Sequence, residues 1–383
     1  MKTRTDTFKA GVGASLLSLM LIIGGCGSNA SGVANSGSSP EGNADAQASS
    51  GAAETQTASK LKVEASFYPM YEFARGVGGD LADVELLVPS GTEPHDWEPT
   101  PQDIAKIEDA DLLIYNGAGM ESWVDQVLDA SSNSKLRAVE ASKGLDIMEG
   151  SEEEEHDHDH GAAETEEHDH DHEAGEAHSH ESGEDHDHAA EEAHDHEGEE
   201  AHGHDHDHGG LDPHVWLSPK LAVQEVRNIE AAFAEADPDH AAQYKSNADA
   251  YVAKLEALDA EFKSRLTGTK RTDFVTQHAA FGYLARDYGL TQVPIAGLSP
   301  DQEPSAREMA EVVEFAKQHD VKTIFFETLV SSKVAETIAA EIGAKTDVLN
   351  PLEGLTSEET AAGEDYLSVM RKNLEALKKA LDE

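Results

Sequence analysis

A chain of 383 residues is long enough for two ordinary domains. It carries 77 Asp and Glu against 28 Lys and Arg, a formal net charge of −49. That excess excludes a nucleic-acid-binding surface, because phosphates would be repelled, and makes metal cations the natural counter-charge.

Residues 1–26 carry Lys2, Arg4 and Lys9 and then an apolar stretch over about 14–23. This is a basic leader with an apolar segment too short to span a bilayer as a mature helix. The stretch ends Leu-Ile-Ile-Gly-Gly-Cys, which resembles a bacterial lipoprotein processing site and implies a lipidated Cys26. An ordinary signal peptide with an incidental cysteine is the alternative. Cys26 is the chain's one cysteine, so an intramolecular disulfide and a thiolate metal cluster are both excluded. Nothing later is apolar enough to cross a membrane, and the body is expected to be soluble and tethered. Residues 27–60 are Ser, Gly, Ala, Asn and Thr with almost no bulky apolar side chain, and read as a flexible tether.

Order is expected from Leu61. Residues 62–67 and 84–88 have the composition of strands, 101–109 of a short helix, 111–115 of another apolar strand and 122–128 of a helix. Short apolar runs separated by helical segments predict an α/β lobe with a mainly parallel sheet, over 61–217. The pattern breaks at 149–210, a tract of Glu, Asp, His, Ala and Gly without Lys, Arg or aromatic residues, for which no packed structure is expected in the absence of metal. It resumes at Leu211-Asp-Pro-His-Val-Trp-Leu-Ser-Pro. Ser218-Pro219 has the form of a helix start, with Ser as the cap and Pro in the first turn. The helix is expected to run to Ala236, where Asp237-Pro238 interrupts it. Tyr244, Tyr251, Val252, Leu255, Leu258, Phe262 and Leu266 then fall on one stripe of a long amphipathic helix. Residues 218–267 are therefore read as linking helices.

In 268–383 the alternation restarts: strands at 273–276, 292–296, 322–326 and 346–349, helices at 279–288, 306–319, 332–342 and 364–381. The predicted architecture is α/β, two lobes each with a mainly parallel sheet flanked by helices, bridged by a long rigid helix and interrupted by a disordered His-rich insertion. A cleft between such lobes, outside the carboxyl ends of the strands, is a usual ligand position.

Five histidines lie outside the His-rich tract. His240 and His319 sit beside charged residues in helical stretches and are expected at the surface. His95 lies in the turn-rich Gly91-Thr-Glu-Pro-His-Asp-Trp-Glu-Pro-Thr-Pro, His214 follows Asp212-Pro213, and His278 closes the strand before it. Glu327 ends its strand in the same way, as Phe-Phe-Glu. Each has a bland alternative as a hydrogen-bonded surface residue, and the long spacing is unlike a compact finger motif. Together, three imidazoles and a carboxylate form a nitrogen-rich tetrahedral set suited to Zn²⁺. Ca²⁺ and Mg²⁺ favour oxygen, and Mn²⁺ more carboxylates with a higher coordination number.

Residues 91–101, 212–219, His278-Ala-Ala-Phe-Gly-Tyr and Phe326-Glu-Thr-Leu-Val-Ser-Ser-Lys-Val-Ala-Glu closely resemble the solute-binding lipoproteins of bacterial zinc ABC importers, of the ZnuA and AdcA type. Gly297-Leu-Ser-Pro-Asp-Gln-Glu-Pro-Ser is similar to that family as well, and the likeness runs over nearly all of 61–383. It implies that His95, His214 and His278 are zinc ligands with Glu327 or a water in the fourth place, and a fold of two similar lobes joined by a long helix. It also implies an extracytoplasmic monomer, lipid-anchored to the cell membrane, that delivers Zn²⁺ to an ABC permease. In manganese-preferring relatives a carboxylate stands where His278 stands here. Some relatives carry a further C-terminal zinc-binding domain, which is not among these residues.

The tract holds His156, His158, His160, His168, His170, His172, His178, His180, His186, His188, His194, His196, His202, His204, His206 and His208, mostly as His-Asp-His and His-Ser-His. Imidazoles interleaved with carboxylates predict many weak, interchangeable sites for transition metals, and a role in concentrating zinc for the ordered site. A solvated acidic spacer is the alternative. Because imidazole coordinates only when neutral, binding by the tract is expected to fade below about pH 6. Four ligands close a tetrahedral site, whereas catalysis needs an open position, so a carrier is expected and not an enzyme. The rivals are a zinc hydrolase with Glu327 as general base, which no His-Glu-x-x-His motif supports, and a zinc-sequestering surface adhesin.

Overall fold

The four short apolar segments of the first lobe are strands: β1 (Leu61–Ala65), β2 (Ala82–Leu86), β3 (Leu112–Tyr115) and β4 (Arg137–Glu140) form one parallel sheet in the order β2-β1-β3-β4. In this computed structural model, residues 60–150 and 210–383 are described, all within one compact unit, Ala58–Glu383. The leader with Cys26, the tether and the sixteen histidines of the tract lie outside the described residues.

Parallel neighbours cannot be joined by a tight turn, and helices make the crossovers. They are α1 (Tyr68–Gly78), α2 (Pro101–Asp109) and α3 (Val124–Ala130). Helix α2 starts where the sequence places it because Thr100 and Asp103 form a reciprocal cap: the Asp103 amide donates to Thr100 Oγ1 (3.3 Å) and the Thr100 amide to Asp103 Oδ2 (3.1 Å). Helix α1 and strand β4 were not expected. Met70, Phe73, Ala74 and Val77 give α1 a buried helical stripe. Strand β4 is a half-exposed edge, Arg-Ala-Val-Glu, with too little apolar signal to stand out.

Helix α4 (Pro219–Ala236) stops at Asp237-Pro238, and α5 (Ala241–Leu266) follows after one turn. Ser218 occupies the N-terminal position of α4 but does not cap it; its Oγ donates instead to Asp287 Oδ2 at 2.6 Å. The 26 residues of α5 span about 39 Å. Its first half packs on the first lobe, with Tyr251 against Phe73 and Tyr244 against Phe233. Its second half packs on the other lobe, with Phe262 against Tyr288. This is the bridging helix the stripe predicts.

The second lobe repeats the first. Strands β5 (Asp273–Thr276), β6 (Thr291–Pro294), β7 (Thr323–Phe326) and β8 (Lys345–Val348) form a parallel sheet in the order β6-β5-β7-β8, with crossovers α6 (Gly282–Tyr288), α7 (Ala306–Gln318) and α8 (Lys333–Ile342). Helices α9 (Ser357–Ala362) and α10 (Tyr366–Leu381) close the chain order, and α10 lies against α5. No helix among the described residues is long and apolar enough to cross a membrane.

Segment 211–218 belongs by sequence to the first lobe and is also hydrogen-bonded to the second. The Tyr283 hydroxyl donates to Asp212 O (2.8 Å), the Trp216 indole N–H to Pro351 O (2.8 Å) and the Tyr366 hydroxyl to Trp216 O (2.5 Å). Trp216 and Tyr366 are fully buried, so these bonds form where water cannot compete.

Candidate metal centre

The side chains of the centre come from loops and turns between the named elements. His95 lies in the loop after β2, and His278 follows β5 by one residue. His214 opens the 3-10 turn Val215–Leu217, and Glu353 sits in the loop after β8. The last loop is shaped by Asn350, whose Oδ1 accepts from the Leu352 amide (2.7 Å), and by Asn373, which both donates to Asn350 O and accepts from its amide. Leu352 takes the left-handed conformation (φ 59°), turning the carboxylate of Glu353 inward.

All four side chains are buried, and they face one another. Glu353 Oε1 lies 3.3 Å from His95 Nε2, 3.4 Å from His214 Nε2 and 3.3 Å from His278 Nε2, and the last two nitrogens are 3.4 Å apart. A tetrahedral ion with bonds of about 2.0–2.1 Å has ligand atoms separated by about 3.3–3.4 Å. The four measured edges therefore have the size of a tetrahedral zinc site.

The protonation pattern makes a cation necessary among them. His214 Nδ1 is 2.8 Å from Asp212 Oδ1, and His278 Nδ1 is 2.5 Å from Glu327 Oε1. Both rings donate outward from Nδ1, so both present Nε2 lone pairs to each other and to a carboxylate. Such a group is stable only around a proton or a metal ion. Burial pulls the His95 imidazole down to about 4 against the opposing pull of Glu353. In His214 and His278 burial also acts downward, but the carboxylates around them outweigh it: Asp212 and Glu353 raise His214, and Glu327 and Glu353 hold His278 well above its ordinary value. Burial would raise Glu353, yet the three imidazoles hold it well below the usual carboxylate range.

The three imidazoles named from the sequence meet here; the carboxylate named with them does not. Glu327 sits on the Nδ1 side of His278, facing away from the Nε2 cluster, because β7 is the direct neighbour of β5 and brings its end beside the ring. The acid among the Nε2 atoms is Glu353, which sequence reasoning missed. The signal that suggested Glu327, an acid just past a strand, is also present in Asn350-Pro-Leu-Glu-Gly. His319 is at the surface, stacked on Phe315 at 3.9 Å. His240 is half-buried rather than exposed, with Nδ1 2.7 Å from Asp237 Oδ2. Neither is part of the centre. Three further carboxylates, Glu93, Asp96 and Asp301, gather within 4.8 Å of one another. Burial first, and then the charge of Glu353, push Glu93 up to about 8.

Residues 63–380 match the model of the family described as the zinc-uptake complex component A, periplasmic. The chain is 48% identical to the high-affinity zinc uptake system protein ZnuA of Bacillus subtilis, over 84% of its own length and 88% of the relative's. It is 44% identical to the zinc-binding lipoprotein AdcA of Streptococcus pneumoniae over 86% of its length, spanning only 57% of that longer protein. The crystal structure of the Zn(II)-bound ZnuA-like domain of that AdcA superposes with a TM-score of 0.63, at 40% identity, covering 85% of this chain and all of the domain.

Proposed function

Because the chain belongs to the zinc-uptake complex component A family, we propose that it captures Zn²⁺ at His95, His214, His278 and Glu353 and hands the ion to an ABC permease. The family consists of the zinc-binding components of uptake systems, which carry an ion and transform nothing. The donor set agrees with that role: three neutral imidazoles and one carboxylate fill four tetrahedral positions and leave none for a reacting water.

The observation that carries this reading is the set of 3.3–3.4 Å edges joining four buried donor atoms. Zn²⁺ takes the place of the protons of the ion-free centre, and four buried protein donors take the place of its water shell. Delivery requires docking on the membrane partner to distort the centre, since a closed buried site releases its ion slowly. We place the protein outside the cytoplasmic membrane, as a monomer anchored through a lipid on Cys26. The sixteen histidines of the tract concentrate zinc for the centre.

Metal analysis of the purified protein, combined with competition against a chelator strong enough to empty weak sites, tests this reading. One tightly held zinc per chain is expected, and it should disappear in Glu353→Ala. A protein that keeps no ion against the chelator would overturn it.

A further inference from the structure

We propose that Asp212 and Glu327 are positioning residues, which fix the ring orientation and tautomer of His214 and His278 before the ion arrives. The inference rests on the four-donor reading above. In both pairs one carboxylate oxygen takes two N–H groups of the same histidine. Asp212 Oδ1 accepts from the His214 amide at 3.0 Å and from its ring Nδ1 at 2.8 Å. Glu327 Oε1 accepts from the His278 amide at 3.2 Å and from its ring Nδ1 at 2.5 Å. A single acceptor shared by the amide and the ring of one residue fixes both side-chain torsions. It also requires Nδ1 to carry the proton, so Nε2 must be the metal-binding nitrogen. Neither carboxylate faces the Nε2 cluster.

Both acids are buried, at 3% and 4% exposure. A carboxylate in such a place is costly unless hydrogen bonds offset its lost hydration, and here the histidine supplies them. Two histidines of the centre, moreover, stand in the same local sequence, Glu93-Pro94-His95 and Asp212-Pro213-His214. In each the acid accepts the amide of the histidine two residues on, Glu93 with both oxygens at 3.0 and 3.1 Å. The intervening proline fixes its own φ and holds the acid extended, which sets the acid's reach. Asp212, with the shorter side chain, also meets the ring of its histidine. His278 has no such local acid, and Glu327 serves it from the neighbouring strand.

The test uses the full chain with zinc and with cobalt(II), comparing wild type, Glu327→Ala and Glu327→Gln. Chelator competition should show zinc affinity about 10–100-fold weaker in Glu327→Ala. Most of that loss should be recovered in Glu327→Gln, whose amide oxygen can accept the same two N–H groups. The visible bands of tetrahedral cobalt(II) should keep their position in both variants, because the ligand set is unchanged; Asp212→Ala should match Glu327→Ala, and Asp212→Asn should match Glu327→Gln. Unaltered affinity in both alanine variants, a Gln variant as weak as the Ala variant, or shifted cobalt bands that put Glu327 among the ligands would each overturn the proposal. A wild-type chain that held no zinc would instead overturn the four-donor reading itself.

Discussion

In the first sheet, β1, β3 and β4 run out into Ser66, Asn116 and Ser142; in the second, β5, β7 and β8 run out into His278, Glu327 and the loop of Glu353. The strand order is the same and the use made of it differs. In the second lobe the strand ends supply two members of the donor set and the carboxylate behind one of them. In the first they build a support. Ser66 Oγ, the Asn116 amide and the Gly117 amide all donate to the carboxylate of Glu121 (2.6, 2.8 and 3.0 Å), and Asn116 Nδ2 donates to Pro213 O (3.0 Å), the residue before His214. One topology thus serves twice, once to hold donors and once to hold the peptide that carries a donor. A mutation at equivalent strand ends should therefore act on zinc in one lobe and on stability in the other.

The sharpest break in that comparison is His278→Ala. It removes a proposed ligand and leaves Glu327 buried without the ring that satisfies it. Zinc affinity at the centre should fall by more than the roughly 100-fold upper range for an outer partner. Chelator competition measures it, and a loss of tenfold or less would mean that the second lobe holds the ion less directly than its geometry shows.

The first lobe calls for a different readout. Glu225, on α4, is fully buried, and neither carboxylate oxygen has a hydrogen-bond partner among the described residues. Burial, with the nearby Glu121, pushes it up to about 8. Unfolded, it would lose its proton near the ordinary value of 4.5. Between these limits the folded chain binds a proton that the unfolded chain does not, so this group's contribution weakens as pH rises from about 4.5 to about 8, by up to about 1.4 kcal/mol per pH unit. In Glu225→Gln that dependence disappears. The stability of the variant relative to wild type should climb with pH across the window and level off above it, while zinc affinity stays within a few-fold. Urea unfolding of the ion-free protein at a series of pH values measures it. A parallel pair of curves would show that Glu225 is ionised or solvated in the fold.

How much of this was legible from residues alone follows the same division. The alternation of apolar runs and helical stripes gave both sheets and the bridging helix, because buried parallel strands and a two-sided helix leave strong patterns. Asp237-Pro238 marked the end of α4. The three histidines stood out through their position at loop turns (His95 and His214) and at a strand end (His278). What could not be read was reach. Glu327 and Glu353 are both acids beyond a strand, and only the register of β5, β7 and β8, together with the left-handed turn at Leu352, decides which enters the cluster and which stands behind it. The support in the first lobe was equally hidden, since Ser66, Asn116 and Glu121 form no motif and matter only through where they meet.

The smallest effect on zinc affinity at the centre is expected from the largest deletion. Glu149 and Leu211 form an antiparallel bridge, and the Gly150 amide donates to Gly210 O at 2.6 Å, so the two ends that flank the tract lie side by side. Removing residues 152–208 joins Gly150 to Gly210 through Ser151 and Gly209, a two-residue connection of the kind antiparallel neighbours accept most readily. On the far side of the bridge, Tyr283 fixes Met148 and Asp212 through its hydroxyl, which keeps His214 in place whatever the connection contains. Zinc affinity at the centre should therefore change less than about twofold. Each halving of the connection lowers its closure cost by about 0.6 kcal/mol, and the deletion makes nearly five halvings, so stability should rise by up to about 3 kcal/mol. Weak binding of further zinc should vanish, which equilibrium dialysis at micromolar zinc would read. If the tight site went with it, the ordered centre would depend on the tract and the two lobes alone would not suffice to hold the ion.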